Sequence, residues 1–299
     1  MGSERRTRLD GLAIASMVLC CFLWGLNQVA VKATLAEVPP LWQAAIRSLG
    51  AAALVFGWSR LRGIALFDRD ATLRAGLLAG GLFAAEFGCI FVGLQFTTAS
   101  RMAVFIYLAP FVVALGMPFI ARSERLSRTQ LAGLVIAFSG VAWAFAEGFT
   151  RPAASDRQWL GDALGVAAAV LWGATTLAIR ASRLGSAPAE KTLLYQLAVS
   201  GVILLVAALA MGAKVPGSLS TLAWSAMGFQ IVIVTAFSYL LWFGLIARYP
   251  ATRLASFTLL TPVFGLVLGA ILLGEAITTR LVIALLAVAA GIVLVNRKA

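Results

Sequence analysis

Histidine is absent from this chain of 299 residues, and acidic side chains are few, with 12 Asp and Glu against 24 Lys and Arg. Without an imidazole, zinc–histidine sites and histidine-based catalysis are excluded. The 3 cysteines, Cys20, Cys21 and Cys89, all lie in apolar runs, a pattern that favours neither a metal cluster nor a disulfide framework. The sequence therefore predicts a protein with no cofactor, no metal site and no catalytic residues.

Charged residues are the second shortage. They make up 12% of the chain, whereas 61% of the residues are hydrophobic and the mean hydropathy is +0.95. Soluble domains are roughly 45–50% apolar and about 25% charged. A chain of this composition exposes its apolar side chains to lipid, so we expect an integral membrane protein.

Ten runs are nearly free of charge and approach the length of about 20 residues that a helix needs to cross a bilayer. We number them spans 1 to 10, and they are Gly11–Val31, Leu41–Ser59, Ala75–Phe96, Met102–Ala121, Thr129–Ala146, Ala163–Ile179, Thr192–Met211, Leu222–Ala247, Leu254–Gly274 and Leu281–Asn296. The connections between them are too short for a soluble domain. The expected fold is all-α, with ten transmembrane helices.

The basic residues are distributed unevenly between the two ends of the spans. With both termini in the cytoplasm, 17 of the 24 Lys and Arg lie on the cytoplasmic side, 6 lie outside and Arg47 alone lies within a span. This is the bias of the positive-inside rule, and it predicts a multi-pass protein of the cell inner (plasma) membrane. The net charge of +12 then reflects topology rather than a nucleic-acid partner. Span 1 has no small-residue cleavage site, so we expect a retained helix and not a signal peptide.

The two halves of the chain share a pattern. Leu23-Trp24-Gly25 recurs as Leu171-Trp172-Gly173, and Arg101-Met102-Ala103 recurs as Arg253-Leu254-Ala255. Further pairs in the same order are Ala30 with Ala178, Lys32 with Arg180, Gln43 with Gln196, Pro110 with Pro262, Glu124 with Glu275 and Gly140 with Gly291. An ordered series at one steady interval indicates an internal duplication.

Each half has five spans, an odd number, so the halves are expected to be inverted relative to one another around a central cavity. The predicted organisation is a cytoplasmic tail at 1–10, a first five-helix repeat at 11–147, an external loop at 148–162, a second five-helix repeat at 163–296 and a cytoplasmic end at 297–299. Inverted repeats are typical of transporters that alternate access to a midplane site. A duplicated bundle without a transport role is the alternative.

The ten spans, the five-plus-five duplication, the early Leu-Trp-Gly of each half and the prolines of spans 4 and 9 resemble the EamA-type branch of the drug/metabolite transporter superfamily. The resemblance covers about residues 11–296. It implies a secondary carrier for a small metabolite, without ATP, whose cavity is walled by spans 1–4 and 6–9. Within that branch the chain resembles the YddG type, exporters of aromatic and other neutral amino acids, and this resemblance implies export as the direction of transport.

Two charged residues lie deep within spans, where each charge costs at least about 2.5–3.5 kcal/mol. Arg47 in span 2 and Glu86 in span 3 are expected at similar depths, facing the interior and either paired or sharing a polar network. As a binding site, Arg47 would take the carboxylate and Glu86 the ammonium of a zwitterion. A purely structural pair and a proton-carrying Glu86 are the alternatives.

Aromatic and amide side chains within the spans are the other candidates for substrate binding. Thr235, Tyr239 and Trp242 would share one face of a regular helix in span 8. Buried tyrosine, indole and amide groups need hydrogen-bond partners, which a cavity supplies, although packing or helix–helix bonding is the alternative for each. The predicted substrate-binding residues are Trp24, Asn27, Gln28, Gln43, Arg47, Glu86, Tyr107, Trp172, Tyr195, Gln196, Tyr239 and Trp242.

Equivalent prolines and arginines mark spans 4 and 9. Pro110 and Pro262 each remove a backbone hydrogen bond, so we predict symmetry-related hinges, with static curvature as the alternative. Arg101 and Arg253 are expected to anchor to lipid phosphate, with a gate contact as the alternative. The GxxxG sequence from Gly265 predicts a close helix contact, and we expect a monomer or a weak homodimer.

These features favour transport over other functions. An enzyme is disfavoured because nucleophiles, acids or a nucleotide-binding lysine do not converge, and a membrane scaffold does not require two equivalent halves. Phosphorylated cargo calls for several buried basic residues, and only Arg47 qualifies. The sequence predicts a secondary exporter of small neutral amino acids, aromatic and other hydrophobic ones included. A multidrug-type exporter of lipophilic cations, which would use Glu86 and the aromatic walls, is the alternative.

Overall fold

The described part of the chain is helical and contains no strand. The computed structural model describes residues 10–68, 70–120, 127–150, 154–249, 258 and 260–295. A π-helix, Phe229–Ser238, and a short 3₁₀ helix, Arg183–Ser186, accompany the α-helices. The α-helices are α1 Gly11–Thr34, α2 Pro40–Leu61, α3 Leu73–Gly93, α4 Ala99–Ile106, α5 Ala109–Ile120, α6 Arg128–Thr150, α7 Gln158–Arg180, α8 Ala189–Ala210, α9 Thr221–Gly228, α10 Tyr239–Arg248, α11 Leu260–Leu273 and α12 Thr279–Val295.

Six helical stretches are long and apolar enough to cross a bilayer, and α11 and α12 are shorter apolar helices. Large apolar side chains such as Leu12, Phe119 and Ile271 are exposed on the helix surfaces. Apolar surface of this extent is expected where a protein contacts lipid and is rare where it contacts water. Every predicted span overlaps a described helix, so the all-α, multi-pass fold is confirmed within these ranges. The long stretches are Gly11–Thr34, Leu73–Gly93, Ala99–Ile120, Gln158–Arg180, Ala189–Ala210 and Thr221–Leu245.

The segment between the predicted halves is shorter than the sequence indicates. Because α6 continues to Thr150 and α7 already begins at Gln158, helix occupies both ends of the expected loop 148–162. Asp162 consequently lies on a helix and not in a loop. Its side chain is buried in the bundle.

Pro110 interrupts the fourth predicted span. Helix α4 ends at Ile106, Tyr107 and Leu108 form a turn, and α5 begins at Ala109. Proline has no N–H to donate to the carbonyl four residues earlier, which here belongs to Ile106. The predicted bend is present as a break between two helices. Pro262 is the third residue of α11, and residues 250–257 and 259 before it, Arg253 among them, lie outside the described residues.

Span 8 is not a regular α-helix. Its central ten residues, Phe229–Ser238, form a π-helix between α9 and α10. The expected face of Thr235, Tyr239 and Trp242 assumed α-helical spacing, and that assumption was wrong, since Thr235 lies in the π-helix. Wider helical turns of this kind occur often at functional sites, where they re-aim side chains.

Helices α6 and α12 cross in antiparallel directions through small residues. Gly140 packs against Ala284, whereas Gly291 packs against Gly133. The contact position on α12 rises as the position on α6 falls, which makes the two helices antiparallel. A Cβ atom on Gly291 would lie 2.6 Å from the Gly133 carbonyl oxygen, so only glycine fits this crossing.

The predicted GxxxG contact is made within the chain. A Cβ on Gly25 of α1 would lie 2.8 Å from the backbone nitrogen of Gly265, and one on Gly269 would lie 2.5 Å from Ser100 Oγ. These glycines therefore let α11 approach α1 and the start of α4 closely.

Candidate functional site

Arg47 and Glu86 both face the interior, as predicted. Arg47 is 0% exposed in the first half of α2, and Glu86 is 5% exposed on α3. No direct ion pair joins these two described residues, so the paired alternative is wrong for this structure. The Arg47 guanidinium instead interacts most strongly with the nearby Tyr239 hydroxyl, which lies outside ordinary hydrogen-bond geometry, and then with the Glu86 carboxyl. The two charges share a polar network that also includes Tyr239.

The faces and the edges of the Arg47 guanidinium have different surroundings. Its Cζ lies 3.8 Å from the centroid of the Phe87 ring and 5.3 Å from that of Phe91, both on α3. Nε, Nη1 and Nη2 are buried and have no hydrogen-bond acceptor among the residues that the structure describes. Buried polar atoms are normally paired, so a buried cation with free donors indicates a functional role.

Further buried polar atoms on neighbouring helices share this property. They come from α1, α2, α3, the π-helix and α11, and most of them are hydrogen-bond acceptors. Within the described ranges, the atoms with no partner in hydrogen-bond geometry are Asn27 Oδ1, Gln28 Oε1, Ser48 Oγ, Glu86 Oε2, Gln230 Oε1, Thr235 Oγ1 and Thr261 Oγ1, the last of which still interacts with the Tyr107 hydroxyl. Such a set is expensive in an apolar interior unless a solvated ligand uses it.

Aromatic side chains connect the Arg47 region to α1 and α10. The Trp24 ring centroid lies 5.6 Å from Trp242 and 6.4 Å from Tyr239, with rings nearly perpendicular in both pairs. Trp24 Nε1 donates a 2.9 Å hydrogen bond to Ser238 Oγ. Tyr239 and Trp242 thus both pack against Trp24, and their role in substrate binding stays a prediction.

A second aromatic pair lies at the break between α4 and α5. Tyr107 packs edge-on against Trp172 of α7, with ring centroids 5.9 Å apart. The Tyr107 hydroxyl interacts with Cys21 and more weakly with Tyr239 through charge, and with the Thr261 side chain through hydrogen bonding. We call the residues linked in this way, with the unpartnered amides of α1, the central site: Trp24, Asn27, Gln28, Arg47, Glu86, Tyr107, Trp172, Tyr239 and Trp242.

Three predicted site residues have other contacts. Gln43 is fully buried and accepts a 2.8 Å hydrogen bond from Gln230 Nε2, which joins α2 to the π-helix. The Tyr195 hydroxyl lies 3.4 Å from Thr72 Oγ1, beside the first residue of α3, and Gln196 Nε2 donates to Thr192 O of its own helix at 3.3 Å. These bonds match the helix-bonding and packing alternatives, and the three residues are not part of the central site.

A buried ion pair is the main feature that the sequence did not reveal. Arg101 Nη2 lies 2.6 Å from Asp162 Oδ2, both side chains are buried, and Thr97 Oγ1 donates a 2.6 Å hydrogen bond to Asp162 Oδ1. The prediction that Arg101 anchors to lipid phosphate was wrong because Asp162 neutralises it inside the bundle. The sequence does place Asp162 just before the predicted start of span 6, but the residue was assigned to the loop 148–162 and so was not considered as a buried partner.

The turn between α3 and α4 is held from several sides. Lys32, in the last turn of α1, donates to Leu94 O at 2.9 Å and to Thr97 O. Glu275 accepts hydrogen bonds from Ala99 N at 2.7 Å and from Ser100 N at 2.9 Å, and so caps the start of α4. Both charged groups complement the helix ends that they contact, where α3 presents carbonyls and α4 presents amides.

Exchanging Glu275 for glutamine is expected to lower the free energy of unfolding by about 1–2 kcal/mol, because a neutral amide replaces charge-assisted bonds to two backbone amides. Denaturant unfolding of the purified protein in detergent measures this loss. Glu37→Gln is the control, since Glu37 also binds the start of a helix, but accepts from one backbone amide and one hydroxyl of Ser220, just before α9, in exposed hydrogen bonds. Equal losses in both variants would contradict a special role for Glu275.

Another ion pair involves the loop before α3, outside the helices. Asp70 Oδ2 accepts a 2.7 Å hydrogen bond from Lys191 Nζ, and Asp70 Oδ1 accepts one from Thr72 Oγ1 at 2.6 Å. The Lys191 bond, followed by the Thr72 bond, holds the pKa of the Asp70 carboxyl below its usual range. The ion pair fastens this loop to the start of α8.

A family model described as the EamA-like transporter family matches residues 11–146 and 159–297. The chain belongs to this family. The protein is therefore a membrane transporter and not an enzyme, and the family resemblance drawn from the Leu-Trp-Gly motifs and the prolines is confirmed. The finer resemblance of this EamA transporter to the YddG type stays a prediction.

Known relatives match the EamA transporter over most of its length. It is 28% identical to the uncharacterized transporter YvbV of Bacillus subtilis, over 96% of this chain and 91% of the relative. It is 29% identical to a probable amino-acid metabolite efflux pump of Salmonella typhimurium, over 91% and 89%. A protein of Escherichia coli with that same name is 28% identical, over 91% and 89%. One crystal structure shares the fold, with a TM-score of 0.68, 18% identity and coverage of 95% of this chain and 97% of that one.

Proposed function

We propose that this EamA transporter is a secondary exporter of small neutral amino acids, aromatic and other hydrophobic ones included, and that it works by alternating access across the inner membrane. The observation that carries the proposal is Arg47, a buried arginine whose N–H groups have no acceptor in hydrogen-bond geometry among the described residues and which shares a polar network with Glu86 and Tyr239. Relatives named as probable amino-acid metabolite efflux pumps support amino acids as cargo and export as the direction.

The proposed transport cycle rests on ten spans in two inverted halves. Thr97 supports the inversion because its carbonyl accepts from Lys32 at the end of α1, while its hydroxyl donates to Asp162 near the start of α7. Helices α1 and α7 are equivalent in the proposed duplication, and contacts of one residue with the end of α1 and the start of α7 support opposite directions for the two helices. The antiparallel crossing of α6 and α12 supports the same arrangement. Inverted halves of this kind exchange conformations around a central site.

Cargo recognition would use the two charges and the aromatic walls. Arg47 binds the carboxylate through paired N–H bonds, and Glu86 binds the ammonium group. Trp24, Tyr239 and Trp242 form an apolar wall with polar edges, which suits a flat side chain. Pro110 and Pro262 are proposed as the hinges, with both termini in the cytoplasm and a monomer or weak homodimer as the assembly.

The decisive experiment is uptake by proteoliposomes that contain the purified protein. Saturable flux of radiolabelled phenylalanine that tryptophan blocks is the expected result. Ethidium tests the alternative cargo class in the same vesicles, since a lipophilic cation needs Glu86 and the aromatic wall but not Arg47. Flux of ethidium without flux of phenylalanine would replace the amino-acid proposal by the multidrug one.

Changing Glu86 to glutamine is expected to raise the KM for phenylalanine about tenfold or more, because the ammonium group loses its charge-assisted partner. Inhibition by 3-phenylpropionate, which has no ammonium group, should change little. Glu190→Gln is the control, because it removes an acid at the start of α8 and away from the central site. Unchanged phenylalanine transport and unchanged pH dependence in Glu86→Gln would exclude Glu86 from both cargo binding and proton coupling.

A further inference from the structure

We propose that Phe87 is the positioning residue that makes Arg47 a receptor for the carboxylate of the cargo. The site then selects cargo that carries a carboxylate over the corresponding decarboxylated amine. This inference rests on the proposed function and assigns a role to a residue that does not itself contact the cargo.

The geometry separates two properties of the guanidinium, its positive charge and its N–H donors. All five N–H groups lie in its plane, so a ring stacked on its face takes none of them. The Phe87 ring, 3.8 Å from Arg47 Cζ, stabilises the buried cation through its π electrons, while the N–H groups at the guanidinium edge have no acceptor in hydrogen-bond geometry among the described residues. An ion pair with Glu86 would have stabilised the cation too, but it would have occupied the N–H groups that a carboxylate needs.

The Phe87 ring is itself held in place by its helix. Phe83, Phe87 and Phe91 are spaced four residues apart on α3 and are all buried. The Phe87 centroid lies 4.5 Å from that of Phe83 and 6.2 Å from that of Phe91. A ring held between two others keeps one orientation, and so fixes the plane of the guanidinium that rests on it.

Selectivity follows from whether a cargo has hydrogen-bond acceptors for the N–H groups at the edge of the Arg47 guanidinium. A carboxylate accepts two parallel N–H bonds and satisfies the buried donors. An amine without a carboxylate leaves them unpaired and adds a second positive charge nearby, which opposes binding. A freely tilting guanidinium would lose the paired geometry, and with it the discrimination between the two compounds.

The test compares Phe87→Leu with Phe83→Leu in proteoliposomes of the full chain. Both variants remove one ring from the same stack, and both residues are 6% exposed, but only Phe87 lies over Arg47 among the two. Phe87→Leu is expected to raise the KM for phenylalanine about tenfold with little change in maximal rate, as expected for loss of a desolvated cation–π contact. Phe83→Leu should change that KM by less than about twofold.

Two further measurements separate positioning from packing. Inhibition by 2-phenylethylamine, which lacks the carboxylate, should be the same in wild type and Phe87→Leu, and Phe87→Tyr should restore the wild-type KM. Equal KM changes in Phe87→Leu and Phe83→Leu, or parallel changes for amino acid and amine, would overturn the role of Phe87 alone. A wild-type protein that carries ethidium and not phenylalanine would overturn both this role and the proposed function.

Discussion

Replacing Arg47 by methionine is expected to abolish phenylalanine uptake and, at the same time, to make the protein more stable. Uptake falls by at least about 30-fold because the cargo's carboxylate loses a buried, charge-assisted partner. The free energy of unfolding rises by about 1–4 kcal/mol because an apolar side chain replaces a desolvated cation that has no acceptor in the described protein. Opposite effects on activity and stability are the mark of a residue kept for function.

The two effects are measured on one preparation, by uptake in proteoliposomes and by denaturant unfolding in detergent. Arg47→Lys keeps the charge without the planar fork, so it should retain the wild-type stability and still lose most uptake. A stability loss in Arg47→Met would instead assign Arg47 a structural role and remove the observation on which the proposed function rests.

Replacing Asp162 by alanine is expected to lower the free energy of unfolding by about 3–5 kcal/mol. The change leaves the Arg101 guanidinium buried without its counter-charge and removes the acceptor of the Thr97 hydroxyl. Arg101→Met should cause a comparable loss, in contrast to the gain expected for Arg47→Met. Two buried arginines thus respond in opposite directions to one substitution because only one of them is paired.

The double variant Arg101→Met with Asp162→Leu tests whether the loss comes from an uncompensated charge. It should recover most of the stability, since two apolar side chains replace a satisfied buried pair at little net cost. Asp156→Ala, at an exposed position just before α7, is the control and should change stability by less than about 0.5 kcal/mol. A double variant as unstable as Asp162→Ala would show that packing, and not charge, holds this region.

Much of the central site could be predicted from the sequence because a charged or amide side chain in an apolar run avoids lipid and faces the protein interior. Arg47 and Glu86 had to face the interior, and the structure places both there beside Tyr239. The predicted residues Gln43, Tyr195 and Gln196 differ from the central site in one respect. Their polar groups found partners on the protein, and a sequence does not state whether a buried amide or hydroxyl is satisfied.

The sequence by itself determined the class of this protein. Its low charge and long apolar runs require lipid as the solvent, its repeated Leu-Trp-Gly and proline positions identify the EamA family, and Pro110 fixes the break between α4 and α5. Only the tertiary structure decided which polar groups are paired. Asp162 forms an ion pair with Arg101, whereas the Phe87 ring stacks on the face of the Arg47 guanidinium and does not contact its N–H edge. Pairing depends on distances between helices far apart in the chain, and local periodicity carries no information about those distances.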